Sequence, residues 1–233
     1  MPATLIFRLE GPMQSWGHRS RFDNRDTGLE PTRSGVIGML CCALGWGRNH
    51  DLRHFEHLRM GVRVDRPGRV SVDYHTAQNV IRASGGNADA TVVSRRYYLA
   101  DACFTVGLED QDTEFLKTLE AALRAPFWPL FLGRRSFPLA TPPCLPDQAI
   151  FEEDLATALS GRDLFRETDH PKRILEKRLL WLETRGPLQG IVRNDVPLSF
   201  GIHSRRYGLR AVERIEIVPA RKEEDDVSVE TEV

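Results

Sequence analysis

Thr4-Leu5-Ile6-Phe7-Arg8-Leu9-Glu10-Gly11-Pro12-Met13-Gln14-Ser15-Trp16-Gly17 is a short apolar strand that runs straight into a glycine-bounded loop. Leu5, Phe7 and Leu9 alternate onto one face, with the period of two that a strand requires. The loop then presents an amide, a hydroxyl and an indole. After a polar stretch at residues 18–31 with no period, Pro31-Thr32-Arg33-Ser34-Gly35 opens an apolar helix. Thr32 or Ser34 caps it, and Gly45 closes it after Leu44. Free N–H groups at a helix start, with arginine beside them, suit a phosphate. An indole and an amide suit an unpaired base. Together they point to single-stranded nucleic acid. The competing assignment makes Trp16 a core plug, Gly11–Gly17 a structural turn and Ser34 a plain cap.

Outward from this segment, Asp51 to Leu58 reads as a second short helix and Met60 to Asp65 as a strand. Arg66-Pro67-Gly68-Arg69 turns the chain into a strand from Val70 to His75. Residues 76–94, centred on Ser84-Gly85-Gly86-Asn87, lack a period and form a long excursion. Arg95 to Ala100 and Ala102 to Leu108 return as strands. Asp112 caps an amphipathic helix to Ala125, with Phe115, Leu116, Leu119, Ala122 and Leu123 on one stripe. This order predicts an α+β sandwich. Past Pro126 prolines break the chain. A helix within 148–160 and strands at Lys177–Thr184 and Val212–Val218 follow a soft boundary near residue 145.

The 233 residues, 41% hydrophobic, suffice for one large domain or a domain with an appendage. No apolar run approaches a membrane span, and the first residues lack the basic-then-apolar order of a signal peptide, so the chain reads as cytoplasmic. The four cysteines include no C-x-x-C pair, which argues against a zinc knuckle or a redox motif. A net charge of −1 hides an asymmetry: residues 1–108 have a balance of +4, and residues 221–233 a balance of −4. Glu223-Glu224-Asp225-Asp226 reads as a solvated, disordered end. Arginine makes up 28 of the 32 basic residues, which suits phosphate contact but also follows from a GC-rich genome.

Other constellations are weaker. Gly11–Gly17 lacks the lysine and spacing of a Walker loop, and the middle pair of Gly35-Val36-Ile37-Gly38 is apolar, unlike a phosphate clamp. His50, His54 and His57 share a helical face, but no acidic or cysteine partner with a recognised metal spacing accompanies them, so they read as solvated rather than metal-binding. No cofactor motif is present. Asp73 and His75 share a strand face opposite Tyr74, where they serve RNA contact, general-base chemistry or a strand-end hydrogen-bond cluster. Gly133-Arg134-Arg135-Ser136 places two guanidiniums on a constrained backbone, as a clamp or as a surface pair.

Taken in order, the strand and loop at 5–17, Pro31-Thr-Arg-Ser-Gly-Val-Ile-Gly38, Asp73-Tyr-His-Thr76, Tyr98-Leu-Ala-Asp-Ala-Cys-Phe-Thr-Val106 and Leu132-Gly-Arg-Arg-Ser136 resemble the Cas5 family of CRISPR-associated proteins, in its subtype I-E branch. The likeness is specific over residues 4–140 and looser from 141 onward. It implies an RRM-like (ferredoxin-like) domain at 1–145 with a thumb at about 76–94, a smaller β-rich region at 146–220 and an acidic tail at 221–233. It further implies a non-catalytic RNA-binding subunit of the Cascade ribonucleoprotein in antiviral defence. Such a subunit caps the 5′ handle of the guide RNA, docks on the backbone and large subunits, and meets target DNA indirectly. On that reading Gln14, Ser15 and Trp16 read or stack bases, and Arg33 and Ser34 take phosphates. His75 and Thr76 touch RNA at the foot of the thumb, and Arg134 and Arg135 clamp the backbone. The alternative is a metal-independent endoribonuclease using His75, Tyr74 and His18.

Overall fold

The computed structural model describes residues 2–17, 23–81, 90–160, 178–186 and 189–217. His18, the tip of the expected thumb and the acidic tail lie outside the described residues. In chain order the elements are β1 (Ala3–Glu10), β2 (Met13–Gln14), β3 (Asn24–Arg25), α1 (Arg33–Leu44), β4 (Arg59–Arg66), β5 (Arg69–Val80), β6 (Ala90–Ala100), β7 (Cys103–Asp110), α2 (Thr113–Arg124), β8 (Ile150–Phe151), α3 (Leu155–Ser160), β9 (Arg178–Glu183), β10 (Ile191–Ser199) and β11 (Arg206–Ile217).

Seven strands form one sheet in the order β10-β11-β9-β4-β7-β1-β8. β1 lies inside it and is buried on both faces. Leu5, Phe7 and Leu9 point to the main core, shared with α1 and α2. Thr32 starts α1 by accepting the Gly35 N–H at 3.3 Å, and Gly45 ends it at φ 72°. Asp112 caps α2, whose Leu116, Leu119 and Leu123 are buried. On the opposite face Ile6 packs with Phe151 and Ala158 of β8 and α3. Gly61 and Gly107 are cross-strand partners there. A Cβ on Gly61 would stand 2.6 Å from Leu159, and one on Gly107 2.8 Å from Leu155. The two glycines are what let α3 lie on the sheet.

A second sheet rises from the first. β6 pairs with β5 from Arg69↔Ala100 to Val80↔Ala90. Among the described residues its other edge is paired by β2 at Leu99–Ala100 and by β3, parallel, at Arg95–Arg96. Beyond Ser94 the pair is a two-stranded ribbon. The architecture is thus a sheet-rich α+β fold.

Several expectations are corrected. The helix expected over 51–58 is a single 3-10 turn at Arg53–Phe55, held by its own short-range bonds. The described parts of 76–94 continue the two ribbon strands rather than forming an aperiodic excursion. Helix within 148–160 is confined to Leu155–Ser160, after the two-residue β8. β10 was not foreseen. The strands past residue 145 extend the same sheet through the β4–β9 pairing, so the soft boundary is not a break in hydrogen bonding.

Candidate nucleic-acid interface

The loop after β1 is built inward. Gln14 is fully buried, and its amide donates to the carbonyls of Leu9 at 3.1 Å and Ala102 at 2.8 Å. Its Oε1 accepts the indole N–H of Trp16 at 3.1 Å. Trp16 is 1% exposed and lies under the start of α1, where a Cβ on Gly35 would stand 2.8 Å from its ring. Ser15 is buried as well, with its hydroxyl donating to the Tyr97 carbonyl at 3.3 Å. Base reading by Gln14, Ser15 and Trp16 is therefore corrected. Their donors are spent inside the protein, and the indole has no open face.

The helix start is corrected in the same way. The Arg33 N–H donates to a carboxylate oxygen of Asp195 at 2.8 Å, so the anion expected at this terminus is internal. Arg210 grips Asp195 with two bonds, at 2.7 and 2.9 Å. Arg33 is 2% exposed, and its side chain donates to Glu183 at 2.6 Å and to the Phe55 carbonyl at 2.8 Å. Burial pulls the Arg33 guanidinium below its ordinary pKa, with Glu183 opposing. Burial pushes the Asp195 carboxyl up, but the bonds and charge of Arg210 and the Arg33 N–H outweigh it, so it titrates below its ordinary value. Ser34 is half-buried and is not the cap.

Of the arginines singled out in the sequence, Arg134 is half-buried against the second sheet and Arg135 is exposed. Gly133 sits at φ 85°, and a Cβ there would stand 1.7 Å from the Ser15 carbonyl oxygen. The Gly133–Ser136 turn thus docks on the loop after β1, and the Ser15 N–H donates to Leu132 at 3.1 Å. Arg134 at its tip donates to the Tyr97 carbonyl at 2.9 Å and stands 5.4 Å over the Phe137 ring. Its pKa is lowered by partial burial first, then by the charges of Arg96 and Arg25, with Asp73 opposing. Arg25, Asp73 and Arg96 are neighbours in register across β3, β6 and β5. The turn therefore closes a cluster of three guanidiniums around one carboxylate. Among the described residues none of Arg25, Arg96, Arg134 and Arg135 makes an ion pair.

Arg135 is exposed and stands by the last turn of α1, where its charge opposes the upward push of burial on the Cys42 thiol. His75 is half-buried on the Asp73 face of β5, its carbonyl accepting from Ser94 at 3.5 Å, and Thr76 is exposed on the other face. The structure thus groups Arg134 with the Asp73–His75 face and separates both from Gln14, Trp16 and Arg33. Arg25 and Arg96 were missed. Arg96 was legible only through the strand register, and Arg25 sits in a loop without a period.

Tyr74 and His75 point to opposite faces, which separates two of the three side chains suggested for a nuclease. His18 lies outside the described residues. His50 stacks on Trp46 with ring centroids 3.9 Å apart. Among the described residues no three His, Cys, Asp or Glu side chains are placed to hold a metal, and no helix is long and apolar enough to cross a membrane.

Residues 4–213 match the family model described as CRISPR-associated protein (Cas_Cas5). Over 156 residues the chain is 39% identical to the CRISPR system Cascade subunit CasD of Escherichia coli (strain K12), covering 61% of this chain and 70% of that one. A chain of a solved CRISPR RNA-guided surveillance complex superposes with TM-score 0.72 at 35% identity, over 93% of this chain and 90% of that chain. A crystal structure of a Cas protein gives TM-score 0.72 at 40% identity, over 92% and 95%.

Proposed function

The chain belongs to the Cas5 family of CRISPR-associated proteins, and from that premise we propose that it is the non-catalytic Cascade subunit that holds the 5′ handle of the guide RNA. The observation that carries this reading is the guanidinium cluster of Arg25, Arg96 and Arg134. Three positive groups share one carboxylate at the foot of a ribbon that projects from the body. A single-stranded backbone bent around that foot would meet two or three guanidiniums. Arg135, Thr76 and His75 flank the path. Gln14, Trp16 and Arg33 support it from beneath by fixing the turn and α1.

The strand order β4-β7-β1-β8, with α1 and α2 on one face, supports a ferredoxin-like (RRM-like) core. The β5–β6 ribbon, inserted between β4 and β7, then supplies the thumb at about 76–94. The backbone and large subunits are the proteins this subunit docks against, and target DNA is met only through them.

The test is a salt-titrated binding series with a handle oligonucleotide and a scrambled control, run in EDTA. Arg96→Ala and Arg134→Ala should each weaken binding and lower the salt slope by about 0.7, the increment of one single-strand phosphate contact. Equal retention of both oligonucleotides overturns handle recognition. Cleavage of repeat RNA in EDTA overturns the non-catalytic assignment.

A further inference from the structure

Two large aromatic side chains stand in the open at the C-terminal end of α1, on a backbone that is firmly held. A helix ends with carbonyls left short of helical partners. The Trp128 and Phe127 N–H groups serve two of those in α1, donating to Cys42 at 3.2 Å and to Ala43 at 2.9 Å. Pro126 and Pro129 stiffen the segment from either side. Both side chains remain open nonetheless: Phe127 is 70% exposed and Trp128 41%, their rings edge to face at 5.0 Å. Phe127 lies against Gly45, where a Cβ would stand 2.8 Å from its ring.

Unpaired positive charge adjoins these rings in two places. Arg135, exposed, stands by the same last turn of α1 through Cys42. Past Gly45 the chain runs to Arg48, also exposed, and Asn49 then meets the turn of the β10–β11 hairpin. A Cβ on Gly201 of that turn would stand 3.3 Å from the Asn49 Oδ1. The turn is fixed to the body by Phe200, whose ring would lie 3.8 Å from a Cβ on Gly38 of α1. The Ser199 hydroxyl accepts the Gly201 N–H at 3.1 Å. Arg205 and Arg206 project just beyond, both exposed. Among the described residues none of Arg48, Arg135, Arg205 and Arg206 makes an ion pair. Asp51, three residues past Arg48, is held by Arg53 at 2.6 Å, and Glu120 near the end of α2 by Arg124 at 2.7 Å.

Guanidiniums interleaved with open rings suit an unpaired strand, the first for its phosphates and the second for its base faces. Arg134 and Arg135 are consecutive, so the Gly133–Ser136 turn joins this surface to the Arg25–Arg96–Arg134 cluster. We propose that the end of α1 is a second site for single-stranded RNA. Bases stack on Phe127 and Trp128, while Arg48, Arg135, Arg205 and Arg206 take phosphates, so the strand held at the cluster continues across the helix end. The inference rests on the reading of the cluster as an RNA site and extends it. A ring platform accepts every base, so this part of the path adds affinity without reading sequence.

The test titrates the full chain with an oligouridylate of about 16 nucleotides, the upper end of single-strand site sizes. Phe127→Ala with Trp128→Ala should weaken binding about tenfold, and the loss should persist in high salt, because stacking releases no counterions. Phe127→Tyr with Trp128→Phe should restore the affinity. Arg205→Gln with Arg206→Gln changes only exposed, unpaired side chains and should lower the salt slope by about 1.4, the increment of two single-strand phosphates. Trp128 is the exposed one of the four tryptophans, so RNA should quench indole fluorescence in the unaltered chain and far less in Trp128→Phe. Unchanged RNA affinity in the ring variant overturns the proposal. So does a ring variant that binds RNA normally but no longer retains another Cascade subunit, since the rings then serve a protein contact. If Arg96→Ala with Arg134→Ala weakens binding while the ring and tip variants do not, this inference falls alone. If the ring and tip variants weaken it and that pair does not, the second site stands and the cluster reading falls.

Discussion

A buried indole must pass its N–H to an acceptor, and Trp16 passes its own to Gln14, which spends its other atoms on Leu9 and Ala102. The pair is a small polar bolt in an apolar core, and α1 rests on it through Gly35. Trp16→Ala should cost about 3–5 kcal/mol by leaving a cavity and an orphaned amide oxygen. Urea unfolding gives the number, and RNA affinity per folded molecule should stay near that of the unaltered chain. A large loss of affinity without loss of stability would return Trp16 to the interface. Gly35→Ala presses a methyl against the same ring, 2.8 Å from Cε3, and should cost about 1–3 kcal/mol.

At the scale of elements, close approach is bought with glycine on the far face of the sheet too. Gly107→Ala would drive a methyl to 2.8 Å from Leu155 and lift α3, for about 1–3 kcal/mol. Because α3 lies away from the ribbon, the folded fraction should bind RNA unchanged; thermal unfolding beside a binding isotherm checks both halves. Elements with a patterned face or a clear cap were legible from the chain: β1 by the alternation of Leu5, Phe7 and Leu9, although its other face is buried too, α2 by its stripe and cap, α1 by Thr32 and Gly45. The ribbon was legible only to His75: β5 is mostly exposed along its whole length, so burial gives its alternation little cause. The Gly133–Arg135 turn announced itself by composition. Arg96 did not, since its role comes from register against Asp73 and Arg25. Gln14 and Trp16 misled for a chemical reason, because the groups that suit a base also suit each other.

Across the whole molecule, the strands past residue 145 are tied to α1 by charge as well as by the β4–β9 ladder. Asp195 on β10 holds the Arg33 N–H and Arg210, while Glu183 on β9 holds the Arg33 guanidinium and the Met60 N–H at 3.1 Å. Removing one charge from a buried set leaves the others without compensation. Asp195→Asn should therefore cost about 3 kcal/mol near neutral pH. Its pH dependence has a definite sign. The folded carboxyl titrates below the ordinary value of 3.8, so its contribution is fully present above that value and is lost as pH falls through the lower, folded pKa. Urea midpoints from about pH 7 down to about pH 3 should show the unaltered chain losing its advantage over Asp195→Asn in acid, because protonation removes the same charge. A gap that stays constant through that range would mean the carboxylate charge does not hold β10 against α1, and the shared hydrogen-bond geometry alone would have to explain the joint.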